Sequence, residues 1–503
     1  MCEKVSEKLF SSNDWGEKDI QRVWSVIDKL AKEKYNLDYY DPEFVIVDYE
    51  TMIVLTSVTA AMPLTYTHWS QGKEYFKFRD AYKNNQTNLS YEMIINSNPA
   101  RCYLLDKNTL TGQTVVMCHA AVGHSAFFKN NYIMKEGMDP RHVLELFTYA
   151  KNYIEMCEQK YGEEEVAELL DYAHALSHHS VDVSKSRKNN NLYQRAVEYN
   201  AALEKNYNEL YKNFDKKMII TQDEEEDDCK WEFPEYNLMK YIIHNSPNLH
   251  SWEKEVLSIV SALQQYFVPN YHTKLMNEGY ATFWHNTLMR DLHDMGHLTE
   301  SSMFEYIEMN CGVIHQHNQF RPMRGLNPYK IGSEIFSDIR RICENPTDED
   351  REYFPFLVGK NWVDEVQFAM KHFNDSSFIL QYLSPHVVRK LKFVIAESYN
   401  LSEEERYENG LGDDVSAHII TEIHSDEDFL SLRKKIADCY TYEKIIPSIY
   451  IGSVSENYLH LVHHKNSSYP LHQEDAEETI KYMQLLMGER LQIRLTLLHS
   501  NEN

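Results

Sequence analysis

Two histidines five residues apart are the first sign of chemistry in this sequence. His119 and His124 flank Ala120-Ala121-Val122-Gly123, within a largely apolar stretch from Thr109 to Lys129 that reads as a buried helix. Imidazole nitrogens are zinc ligands when two of them share a helix face. The zincin arrangement places them four apart, as HExxH, with the Glu as general base. Here the spacing is five, and Ala120 stands where that Glu would be. Residues five apart on an ideal α-helix diverge by roughly 140°. The rings therefore share a face only if Gly123 allows a local bulge or helix end. Otherwise one is a hydrogen-bonded core histidine and the other is exposed.

A second constellation is Glu278-Gly279-Tyr280-Ala281-Thr282-Phe283-Trp284-His285. Glu278 and His285 fall on one helix face, roughly 10 Å apart along its axis. An acidic residue on a helix downstream of a His pair is a familiar source of a third metal ligand. The plainer reading is a Glu near a helix start, favourable with the dipole, followed by an aromatic core stripe. A third constellation is AHALSHHS, where His174 and His178 lie four apart and His179 and Asp182 are close. With 24 His in the chain, such pairs also arise by chance. His68 and Glu92 are further polar groups in apolar settings, where burial demands partners. No residue is assigned a catalytic role. The expectation is that His119, His124, Glu278 and His285 converge in one buried pocket with His174 nearby, around a divalent ion, zinc favoured.

The elements that must position these groups are mostly helical. Trp15 to Lys34 has apolar residues at helical spacing, and so do 237–306, 331–341 and 364–373, with a longer helical stretch over 137–176. EFVIVDYETMIVLTSVTAAM is a buried helix or two strands. Tyr91 to Leu105 reads as two short strands broken at Asn98-Pro99. Residues 183–230 are polar and include DEEEDD from Asp223 to Asp228, a solvated linker or insert. Beyond about 410 the periodicity changes to β-α-β-β-α-β, the order of a ferredoxin-like sandwich. The predicted architecture is α+β: a mostly α-helical main domain over 1–410 with a small sheet, then a small α+β domain over 411–503.

Composition narrows the function classes. The chain has 503 residues, of which 43% are hydrophobic, and a net charge of −26. Such a surface repels phosphate backbones and anionic lipid, so nucleic acid is not an expected partner. No run reaches the length of a membrane span, and the polar start lacks a signal-peptide core, which predicts a cytoplasmic protein. The eight Cys form no CxxC pair and read as free thiols. No P-loop, GxGxxG, GxSxG or kinase signature occurs, which disfavours a nucleotide-dependent enzyme.

Seven stretches, in order, resemble the SpoVR family (stage V sporulation protein R): THWSQGK at 67–73, YEMIINSNPARCYLL at 91–105, HAAVGHSAFFKNNY at 119–132, the AHAL around His174, MNEGYATFWH at 276–285, GLNPYKIG at 325–332 and FSDIRRICENPTDEDREYF at 336–354. The resemblance covers most of 15–395, and the C-terminal part fits the family's second domain less sharply. His119, His124, His174, Glu278 and His285 stand at positions of the family pattern. His178 and His179 stand where the family has other residues, and Tyr280 replaces its usual Trp. The resemblance implies a role in spore cortex formation or in stress response. It also implies association with a PrkA-type serine protein kinase and a protein with a von Willebrand-like domain. It brings no established activity. Two functions follow: a metal-dependent hydrolase or a degenerate relative of one, or a non-catalytic regulatory or scaffold protein in which the same residues form a polar core.

Overall fold

Helices dominate the structure, a computed structural model that describes residues 15–57, 65–83, 92–137, 139–181, 234–315, 327–391, 394–397, 416–419, 425–441, 446–455, 457–464, 471–488 and 491–498. It is an α+β protein, mostly helical with small sheets. The acidic insert expected at 183–230 lies outside the described residues. The chain divides into two units, one of residues 1–55, 84–135 and 269–441, the other of 56–83, 136–268 and 442–503. Among the described residues no helix is long and apolar enough to cross a membrane. Among the described residues, Cys102, Cys118, Cys157, Cys311, Cys343 and Cys439 form no disulfide.

The first unit opens with the helix Glu17–Tyr35, which buries Ile20, Val23, Ile27, Leu30 and Ala31 on one face. Each of the Ile, Val and Leu side chains contributes about 1.5–3 kcal/mol by leaving water. The helix stops at Asn36, which takes a left-handed conformation at φ 50°, one that Asn tolerates better than most residues. The ambiguous apolar segment then resolves into both element types. Strand β1 spans Pro42–Val47 and a helix spans Tyr49–Ser57. Strands β2 (Glu92–Ile95) and β3 (Ala100–Leu105) flank the Asn98-Pro99 break. Strand β3 lies in the middle, antiparallel to β2 and parallel to β1, with Cys102 facing both Ile94 and Phe44 in register.

From β3 the chain enters the histidine-bearing helix. Thr109 caps it by accepting the Gly112 N–H. The helical run then continues through Leu110–Val116, Met117–His124 and Ser125–Asn130. The long helix Ser251–Asp294 carries Glu278 and His285; its residues from Pro269 onward belong to the first unit. A third helix, Pro328–Glu344, starts with Asn327 accepting the Lys330 N–H and with Pro328 in the first turn, a position that needs no N–H. It buries Ile331, Ile335, Ile339 and Ile342.

Glycine sets how closely these helices approach. A Cβ on Gly123 would fall 2.5 Å from the Ala281 Cα, and one on Gly279 would fall 2.3 Å from the Gly332 Cα. The backbones that carry the two histidines and the glutamate are therefore in direct contact, and Pro328–Glu344 closes on the other side of Gly279.

The C-terminal elements occur in the expected order: β5 (Ser416–Ile419), the helix Asp426–Asp438, β6 (Ile449–Val454), β7 (Tyr458–His464), the helix Gln473–Met487 and β8 (Gln492–Leu498). Their pairing differs from a four-stranded ferredoxin-like sheet. Strand β5 pairs antiparallel with β4 (Val394–Glu397), while β6, β7 and β8 form a three-stranded sheet in that order. Packing explains the separation. Phe429, Leu432 and Ile436 of the helix Asp426–Asp438 join the first unit's core, where Phe429 meets the Tyr353 ring edge-on at 5.2 Å.

Candidate metal centre

The octet Met117–His124 is a π-helix, and the Ser125 N–H donates to the Ala120 carbonyl five residues back. In a π-helix the hydrogen bonds span five residues, so residues five apart lie one above the other. This is how His119 and His124 come onto one face. Their rings meet edge-to-face with centroids 4.7 Å apart. The small residues Ala120, Ala121 and Gly123 suit the wider turn, because Gly123 lies against Ala281. The angular divergence expected of an α-helix is removed by a change of helix type along the whole octet.

Glu278 faces this pair. Its Oε2 lies 3.4 Å from His124 Nε2 and 3.6 Å from His119 Nε2. Among the described residues, His119, His124 and Glu278 are the group whose ligand atoms all lie within 4.8 Å of one another. Both histidines are buried, the Glu278 side chain is 18% exposed, and its Oε2 is buried without a hydrogen-bond partner. A buried carboxylate oxygen left in that state costs several kcal/mol unless a cation compensates it.

The ring nitrogens behind the cluster fix its tautomers. His124 Nδ1 donates to Asn277 Oδ1 at 2.9 Å, which in the neutral ring leaves the lone pair on Nε2. His119 is set by a longer chain. Asn286 Oδ1 accepts from both the Tyr306 hydroxyl and Asn310 Nδ2, so Asn310 Oδ1 is turned to His285 Nε2, 3.0 Å away. His285 Nε2 therefore carries the proton and its Nδ1 accepts. His119 Nδ1, 2.8 Å away, donates to it. The His119 lone pair is then on Nε2 as well. Two imidazole lone pairs and a carboxylate oxygen point at one another, an arrangement that only a positive charge between them makes favourable.

Distances separate a proton from a metal ion in that place. A charge-assisted N–H···O bond is about 2.7–2.9 Å long, shorter than both separations here. Tetrahedral ligands at about 2.0–2.1 Å from zinc are about 3.3–3.4 Å from each other, which fits 3.4 and 3.6 Å. The residues present thus fit a small divalent cation.

Positive charge at this place, on the rings or on an ion, favours an ionised Glu278. Burial pushes the Glu278 carboxyl up, but His124 and His119 together outweigh it and hold the group well below the usual carboxylate range. Burial, with the neighbouring His119, pushes His285 down to about 3. His285 is a neutral hydrogen-bonding partner across the physiological range.

His174 belongs to the second unit. There its Nε2 meets the Tyr66 hydroxyl at 2.7 Å and its ring meets the His68 ring edge-on at 4.6 Å. Burial, and then His68, push it down to about 4. His68 Nε2 lies 3.2 Å from Asp171 Oδ1, to which Trp69 Nε1 also donates. His178 Nδ1 accepts from Gln264 Nε2 at 3.3 Å, so the helical pair His174/His178 is divided between different partners. Sequence reasoning missed Asn277, Asn286, Tyr306 and Asn310. Asn277 sits beside Glu278 in MNEGYATFWH, a signal that was there to use. Asn310 lies in the helix Glu300–Val313 with no pattern to mark it.

The family described as SpoVR like protein matches residues 14–445. The uncharacterized protein YcgB of Escherichia coli (strain K12) is 36% identical over 455 residues, which is 90% of this chain and 86% of that protein. No solved structure gives a significant match. The chain therefore belongs to the SpoVR family.

Proposed function

We propose that this chain is a metalloprotein that holds one divalent cation, zinc favoured, between His119 Nε2, His124 Nε2 and Glu278 Oε2. The observation that carries the reading is the buried Glu278 Oε2, which has no hydrogen-bond partner and lies 3.4 and 3.6 Å from two imidazole nitrogens. Three protein ligands leave one position of a tetrahedral ion for water or substrate, as in hydrolytic zinc sites. Such an ion would supply Lewis acidity and an acidified water. His285 supports His119 from behind, and Asn277 does the same for His124.

Two uses of this ion remain distinct. The first is hydrolysis, of a peptide or cell-wall precursor, in keeping with the cortex role that the resemblance implies. The second is structural: the ion locks a polar core in a regulatory or scaffold protein of the cytoplasm, acting with a PrkA-type kinase and a von Willebrand-like domain protein in sporulation or stress response. Ala120 favours the second use. It occupies the place of the zincin base, and Glu278, the carboxylate within ion-pair range of both rings, serves as a ligand. Metal content of protein purified without chelators tests the shared claim. About one equivalent in the wild type, lost in Glu278→Gln, supports it; equal content in the two proteins contradicts it.

A further inference from the structure

The chain that fixes His119 ends at a groove. Asn286 and Asn310 line a cavity of about 490 Å³ in the first unit, together with Arg290, Arg340, Arg341 and Lys390. A neighbouring cavity of about 380 Å³ shares Thr287, Arg290 and Arg340 with it. Each volume lies in the range of small-molecule sites.

The cations of this groove are not equivalent. Arg341 is held by Asp338 and Asp350, both at 2.6 Å. Lys390 pairs with Glu334 at 2.6 Å. Arg340 pairs with Glu344 at 3.3 Å and lies over the Trp362 ring, 4.5 Å from its centroid. Arg290 is exposed, lines both cavities, and has no ion pair among the described residues. A chain of net charge −26 repels anions at long range. A spare guanidinium among three compensated cations is therefore a local feature, and its fork matches the oxygens of a phosphate or carboxylate.

We infer that this groove binds a small ligand bearing a phosphate or carboxylate group, anchored by Arg290, and that its occupancy reaches His119 through Asn310 and His285. The anion site stands by itself; its coupling to His119 rests on the metal reading. A ligand that competes for Asn310 loosens the acceptor of the His285 proton, and the His119 tautomer is then held less firmly. Outer partners of this kind change metal affinity and the spectrum of the bound ion.

The test uses the full chain. Inorganic phosphate and, separately, malonate are titrated calorimetrically into wild type, Arg290→Ala and Arg290→Lys. The two anions separate phosphate from carboxylate recognition. At least one should bind. Arg290→Ala should weaken it about tenfold or more, with partial recovery in Arg290→Lys. Chelator-treated wild type should still bind it, at least as tightly, because the groove is not the metal site and any coupling to the metal is reciprocal. Failure of both anions to bind, or equal binding by Arg290→Ala, overturns the inference. Loss of anion binding on chelation also overturns it, since the anion would then sit on the ion, and leaves the metal reading intact. In cobalt-loaded protein the bound anion should shift the visible bands in wild type but not in Asn310→Leu; unshifted wild-type bands overturn the coupling. Arg290-dependent anion binding in a protein that takes up no cobalt would keep the groove and sink the metal reading.

Discussion

His119 and His285 face each other through like atoms, with their Nδ1 nitrogens 2.8 Å apart. One of the two must donate, and the Asn310 amide decides which. The residue seven positions beyond Glu278 thus supports His119 from behind, and the atoms that converge are those of His119, His124 and Glu278.

Replacing His285 should weaken the metal without abolishing it. In His285→Leu or Asn310→Leu, His119 loses its tautomer control, and affinity should fall about 10–100-fold. Competition with a chromophoric chelator measures this. Unchanged affinity in both variants would show that the chain of hydrogen bonds is only packing.

Loss of the ion should also be visible in stability. A ligand bound to the folded state alone adds about 2.7 kcal/mol at a hundredfold excess over Kd. Saturating zinc should raise the Tm of wild-type protein by several degrees and leave Glu278→Gln nearly unmoved. A similar rise in both proteins would place the effective zinc elsewhere.

The close helix approach predicts a cost for the smallest possible side chain. Gly279→Ala drives a Cβ into the Gly332 backbone, and Gly123→Ala drives one into Ala281. Each should destabilise by about 1–3 kcal/mol or more, since backbone must shift to make room. Chemical denaturation checks it. Changes below about 0.5 kcal/mol, the scale of ordinary surface substitutions, would mean that the helices are less tightly joined.

A pH signature should come from Asp375. It is buried and accepts the N–H groups of Leu275 and Met276, each at 2.8 Å. Burial pushes its carboxyl up to about 8, against the pull of those two donors. The folded protein then binds this proton more tightly than the unfolded chain, so stability falls as pH rises from about 4, the ordinary aspartate value, towards 8. In Asp375→Asn that dependence is absent. The Tm gap between wild type and variant should shrink from pH 5 to pH 8. A constant or widening gap would show that the carboxylate is already ionised at pH 5.

The sequence made some of this legible and hid the rest for physical reasons. Apolar spacing marks the helices, and Asn98-Pro99 marks the break between β2 and β3. The strand-then-helix path of 42–57 was hidden because a short apolar run has no decisive period. The pairing of β5 with β4 crosses the boundary expected near 410, because β4 is only four residues long and carries no pattern that marks it as a strand. At the centre, residue types nominate His119, His124, Glu278, His285 and His174 alike, and nothing local says that the first three are the ones whose ligand atoms converge. The π-helix that unites the two rings packs through Gly123 against Ala281, a tertiary contact that local patterns do not encode. Asn286 and Asn310 were invisible for the same reason: their importance comes from a hydrogen-bond path that exists only after folding.

The most direct measurement is zinc-edge X-ray absorption or anomalous diffraction on protein purified without chelators. The account predicts one ion with two imidazole nitrogens and a carboxylate oxygen at about 2.0–2.2 Å, assigned to His119, His124 and Glu278 by loss of the signal in Glu278→Gln. A metal-free protein in which the His124 Nε2 and Glu278 Oε2 atoms close to direct hydrogen-bonding distance, or an ion bound away from these residues, would contradict it.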